Sequence, residues 1–176
     1  MYVGADASYA AFQTLLISGV HDDNEWLKAR HDRGNSMILG EHVHWLAQGF
    51  KTTIGEWQPI RVTGLGKAYS ESTYSGQFGQ RSSRHYTRAE VERACSSGPT
   101  DLLVVYEHLD APGIKNMIYA TRPKLILNIA HPNRKKYTEI QHTPVIQLGR
   151  RETRLVEWDE RLFSFNVLNK STDIIV

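Results

Sequence analysis

Three histidines each follow a run of apolar residues that reads as a buried strand. His21 comes after Leu15-Leu16-Ile17, His108 after Leu102 to Tyr106, and His131 after Leu125 to Ile129. In open α/β sheets, ligands bind in the crevice beyond the carboxyl ends of the strands, where side chains distant in sequence converge. Imidazole suits divalent transition metals and carboxylates suit harder ions. Histidine and aspartate gathered at such an edge therefore have the chemistry of a metal centre that activates water. One histidine at a strand end is ordinarily satisfied by a backbone hydrogen bond, but three in the same topological position point to a shared site.

The elements that must position them can be read from pattern and punctuation. Thr14 to Ser18 is a short apolar run that stops at Gly19, and Asp22 to His31 reads as a helix ended by Asp32-Arg33-Gly34-Asn35. Arg61-Val62-Thr63-Gly64 reads as a strand broken by Gly64-Leu65-Gly66. Thr87-Arg88-Ala89-Glu90 matches a capping box, whose helix runs to Ser96 or Ser97 before Gly98-Pro99. Asp101 to Tyr106 and Lys124 to Ile129 are near-continuous apolar runs, as expected of strands covered on both faces, with a short helix from Ile114 to Ala120 between them. The stretch from Ser70 to Ser83, rich in Ser, Gly, Tyr and Gln, reads as a long loop. Thr138 to Ile140, Val145 to Leu148, Leu155 to Trp158 and Leu162 to Val167 read as a β-meander. The sum is α/β: a layered sandwich in a single domain over residues 1–176.

Several segments resemble the motifs of the calcineurin-like metallophosphoesterases. Gly19-Val20-His21-Asp22-Asp23 resembles the family's Gly-Asn-His-Asp/Glu motif, with Val20 in the place of the metal-binding Asn. Arg61 to Gly66 is similar to its strand leading into a glycine turn, and Asp101 to His108 to the strand that delivers a metal-binding His. Ile129-Ala130-His131-Pro132-Asn133 stands where Gly-His-x-His is expected, and Pro144 to Gly149 resembles the terminal strands. The order holds from about Val3 to Leu168. Arg84-His85-Tyr86-Thr87-Arg88-Ala89-Glu90-Val91 is similar to the lariat-debranching and related phosphodiesterase branches.

The resemblance implies an α/β/β/α sandwich with mixed sheets. It implies a metal-dependent phosphoesterase, a phosphodiesterase acting on a nucleotide or a nucleic-acid end. The implied metal ligands are Asp6, His108, His131 and Asn133, holding one or two divalent ions (Mn, Fe or Zn). His21 takes the place of the family's catalytic histidine, with Asp22 to orient it, and Arg84, His85 and Lys135 would contact substrate phosphate. The family's opening Asp-x-His strand has no counterpart, so the first strand reads as missing and Asp6 as a displaced bridging carboxylate. That absence predicts a homodimer or a protein partner covering the gap. Together with Val20, and with Asn133 in place of a histidine, it marks an eroded metal site. The alternative reading is a catalytically inactive binding or scaffold module on the same fold.

Composition narrows the remaining classes. Among 176 residues, 40% are hydrophobic and 23% charged, the balance of one globular domain. Net charge is +2, too small to imply nucleic acid by itself, and the basic groups around Arg84, Lys135 and Arg151 read as solvated surface. Cys95, the single cysteine, excludes an internal disulfide and is expected on a helix. No run approaches the ~18 apolar residues of a membrane span, and the N-terminus lacks a secretory signal, so a cytoplasmic location without membrane contact is expected. His42-Val43-His44 lacks partners for a metal site, and Gly64-Leu65-Gly66-Lys67 is too short for a phosphate loop. Tyr69 and Tyr74, in the Ser/Gly stretch, are expected as exposed aromatics able to stack on a base.

Overall fold

The computed structural model describes residues 14–19, 22, 24–29, 36–40, 42–55, 59–76, 84–129, 138–149, 155–159 and 164–168. The apolar runs of the middle of the chain become a mixed sheet of six strands. These are β4 (Lys51–Ile54), β5 (Ile60–Leu65), β6 (Leu102–Val105), β7 (Leu125–Ile129), β8 (Glu139–Ile140) and β9 (Thr143–Leu148). Their spatial order is β4-β5-β6-β7-β9-β8. The four central strands β5, β6, β7 and β9 are parallel, and the edge strands β4 and β8 are antiparallel hairpin partners of β5 and β9.

Parallel neighbours need crossovers, and helices α3 (Arg88–Ser96) and α4 (Ile114–Thr121) supply two of them. The two helices pack on one another and on one face of the sheet. Val91 and Ala94 of α3 and Ile114, Met117 and Ile118 of α4 meet Leu65, Leu103, Val105, Ile126 and Val145 there, all of them buried. The Thr87–Glu90 capping box is present as expected: Thr87 Oγ1 accepts from Glu90 N, and the Glu90 carboxylate accepts from Thr87 N. Gly113, at φ 84°, opens α4 in a backbone region open to glycine. Cys95 lies on α3, half-buried against this core, and burial pushes its thiol pKa up.

A second, three-stranded mixed sheet precedes this one in the chain. β1 (Thr14–Leu16) lies parallel to β3 (Val43–Leu46), which pairs antiparallel with β2 (Ser36–Gly40). Helix α1 (Asn24–Ala29) contributes Leu27 to a small core with Leu16, Trp45 and Ala47. The two sheets approach at β5, where a Cβ on Gly64 would stand 2.6 Å from the Ile17 side chain. β10 (Leu155–Asp159) and β11 (Ser164–Leu168) form an antiparallel pair.

The protein is thus mixed α/β, as expected, with three departures. β5 runs through Gly64 rather than breaking at it. The Ser70 to Ser83 stretch contains a helical turn, α2 (Glu71–Tyr74), among its described residues. Strands β2, β3 and β4 were not read from the sequence; His44 lies in β3, and His42 precedes it in a turn. No helix among the described residues is long and apolar enough to cross a membrane.

Candidate functional site

The loop after β1 is held by a buried polar cluster. Ser18 is fully buried; its hydroxyl donates to Asn24 Oδ1 (2.7 Å) and accepts from Trp45 Nε1 (3.1 Å) and Gln48 Nε2 (3.0 Å). Asn24 Nδ2 donates to the carbonyls of Gly19 (2.7 Å) and Asp22 (3.1 Å), and Asp22 Oδ2 accepts from Gly19 N (2.7 Å). These bonds hold Gly19, Asp22 and Asn24 together in a tight turn, with Asp22 half-buried.

Gln48 fastens that turn to the end of β5. Its amide nitrogen donates to the Ser18 carbonyl (2.9 Å) and its amide oxygen accepts from Gly66 N (2.6 Å). The approach is close enough that a Cβ on Gly66 would run into the Ser18 carbonyl oxygen, so the position requires glycine for space. A Cβ at Gly19 would lie 3.6 Å from the Gly66 carbonyl and 4.0 Å from the Tyr106 ring, which places the exits of β1, β5 and β6 side by side.

Beyond β6, Glu107 is buried and joins three segments. Its Oε2 accepts from Tyr69 N (2.6 Å) and its Oε1 from His108 N (2.7 Å). Asn128, buried at the end of β7, donates to the carbonyls of Glu107 (2.9 Å) and Val105 (3.0 Å) and accepts from Gln147 Nε2 of β9 (3.1 Å). His108 follows, half-buried, and its carbonyl accepts from Ala111 N (2.9 Å). Arg84 and His85 reach the same edge through the backbone: Ala68 N donates to the Arg84 carbonyl and Tyr86 N to the Ala68 carbonyl. Arg84 is exposed and His85 half-buried.

The structure therefore brings Asp22, His108, Arg84 and His85 to one edge, the carboxyl ends of the parallel strands. Asp6, His21, His131, Asn133 and Lys135 lie outside the described residues. Among the described residues no three His, Cys, Asp or Glu side chains form a group able to hold a metal ion. His108 alone does not fit a metal centre; one would need the donors of Asp6, His131 and Asn133. His142 sits at the opposite end of the sheet, in the β8–β9 turn, fully exposed beside Glu139.

Tyr69 and Tyr74 are corrected by their surroundings. Their ring centroids lie 5.7 Å from one another and 5.9 Å each from that of Tyr86, and they pack against the helix-covered core, so they are not free stacking platforms. The Tyr69 hydroxyl donates to the Glu71 carboxylate, which pushes its pKa up to about 12. Burial raises that of Tyr86, whose hydroxyl donates to the Pro112 carbonyl.

The residues missed in sequence are the polar ones that tie loops together: Ser18, Gln48, Glu107, Asn128 and Gln147. A polar residue inside or beside an apolar run was the one signal available for Glu107 and Asn128. No protein-family model and no curated protein matches the chain.

Proposed function

We propose that the chain is a metal-dependent phosphoesterase of the calcineurin-like metallophosphoesterase type, a phosphodiesterase on nucleotide or nucleic-acid substrates with an eroded metal site. The observation that carries this reading is the convergence of the β1 loop bearing Asp22 with the exits of β5 and β6, where Gly66, Tyr106 and His108 stand. Two sheets meeting at β5, with helices α3 and α4 on one outer face and α1 against the smaller sheet, are consistent with an α/β/β/α sandwich.

A bound divalent ion would supply an acidified water and offset phosphoryl charge. The chain's own residues would do the rest. By the family resemblance His21 would give a proton to the leaving oxygen, and Asp22, its neighbour in sequence, would orient its ring. Exposed Arg84 would meet substrate phosphate at the rim.

Hydrolysis of bis-p-nitrophenyl phosphate with added Mn²⁺ tests this reading. The wild type is expected to turn over, and His21→Ala and His108→Ala are each expected to lose roughly 10²-fold or more. Absence of both bound metal and turnover in the folded wild type would leave the second reading, a catalytically inactive binding module. That reading is favoured by one observation: Ser18, Gln48, Glu107 and Asn128 spend their polar groups holding loops together.

A further inference from the structure

A buried carboxylate next to a site histidine is costly unless it is hydrogen-bonded, so its presence requires a reason. Glu107 has relative exposure of only 6%. Its two oxygens face two different backbone donors, Tyr69 N at 2.6 Å and His108 N at 2.7 Å. Hydrogen bonds from backbone N–H to a carboxylate are charge-assisted and about twice as strong as neutral ones. The carbonyl of the same residue accepts from Asn128, which is held by Gln147. Glu107 thereby connects the exits of β5, β6, β7 and β9 at the point where His108 leaves the sheet.

We infer that Glu107 is a positioning residue: its carboxylate clamps the His108 backbone to the Tyr69 segment and so sets where the His108 imidazole stands. The inference rests on His108 being a site residue, as proposed above. Tyr69 follows Ala68, whose backbone pairs with Arg84 and His85, so the same clamp relates the His108 loop to the rim that carries Arg84. A neutral amide of the same size cannot replace it. In Glu107→Gln one of the two facing N–H groups would meet an NH₂ instead of an oxygen.

The test compares wild type, Glu107→Gln and Glu107→Asp, the last keeping both oxygens on a shorter arm. Two readouts are used: long-range ¹H–¹⁵N spectra of the His108 ring, and Mn²⁺-dependent hydrolysis of bis-p-nitrophenyl phosphate. Both variants are expected to stay folded, with shifted and broadened ring signals. For hydrolysis, kcat should fall roughly 10- to 100-fold with KM within about twofold, the size of effect seen when outer partners of a site are removed. Ring signals unchanged from wild type in a folded Glu107→Gln protein would overturn the inference. So would unfolding of both variants, which would make Glu107 a folding residue only. If the wild type itself shows no turnover, the phosphoesterase reading falls, while the ring spectra still decide the role of Glu107.

Discussion

Asp101 stands at the amino end of β6, opposite the edge that carries His108. Its Oδ2 accepts from Arg61 Nε (2.9 Å) and Arg61 N (3.0 Å), and its Oδ1 from Arg61 Nη2 (2.9 Å), with Lys124 Nζ 3.2 Å away. The hydrogen bond from the Arg61 guanidinium holds the Asp101 carboxyl well below the usual carboxylate range, against the opposing effect of burial. A carboxyl that titrates lower folded than unfolded stabilises the fold fully above the unfolded value, about pH 4, and progressively less as pH falls below it. Asp101→Asn is expected to lose about 2 kcal/mol at neutral pH, since hydrogen bonds to charged groups contribute on that scale. Urea melts from pH 7 to pH 3 check both parts, and the gap between wild type and variant should narrow below about pH 4. Little of this was legible. Asp101 reads in sequence as the first residue of a strand, and nothing local marks a partner forty residues away.

Helix α3 joins two interactions through one side chain. Glu90 completes the capping box with Thr87 and also accepts from Lys67 Nζ at 2.9 Å, with both side chains of that ion pair largely buried. Thr87→Ala removes one cap and is expected to cost about 1 kcal/mol. Glu90→Ala would also strand the Lys67 ammonium and is expected to cost about 3 kcal/mol or more. Thermal or denaturant melts of the two variants give the comparison; equal losses would mean that the Lys67 pair contributes nothing. The cap was visible because Thr-x-x-Glu is a local pattern with a local cause. The Lys67 partner was not, because Lys67 lies in a Gly-Leu-Gly-Lys stretch whose composition suggests a loop. Strand β4 was invisible for a related reason: Lys51-Thr52-Thr53-Ile54 carries one aliphatic side chain, and its place comes from pairing with β5.

Over the whole molecule, the near-continuous apolar runs read as buried strands are β6 and β7, and the structure adds that they are parallel and central in the sheet. A layered α/β arrangement was expected from the pattern of elements, but the meeting of two sheets at β5 was not. Its physical basis, Ile17 resting on Gly64 and Ser18 on Gly66, depends on contacts no single segment reveals. The helix-covered core holds most of the buried apolar side chains among the described residues, with Met117 fully buried between the helices and the sheet. Met117→Ala is expected to cost about 2–5 kcal/mol from lost transfer energy and the cavity left behind. A shift in denaturation midpoint without a change in its slope would show that the native packing, and not the unfolded state, absorbed the change.

The chain order of the central strands has a consequence in time. β5, β6, β7 and β9 stand side by side in the order they are made, so each parallel pairing closes a modest loop and can form soon after its predecessor. Docking of the β1 loop is expected to differ, because Ser18 and Gly66 are joined through Gln48, which lies between β3 and β4 and is placed by their hairpins. Refolding is therefore expected in two stages, protection of the β6 and β7 amides first and of Gly66 N, bonded to Gln48, later. Pulse-labelled hydrogen exchange reads that order directly, and the edge that carries Asp22 and His108 would be the last part of the protein to exist.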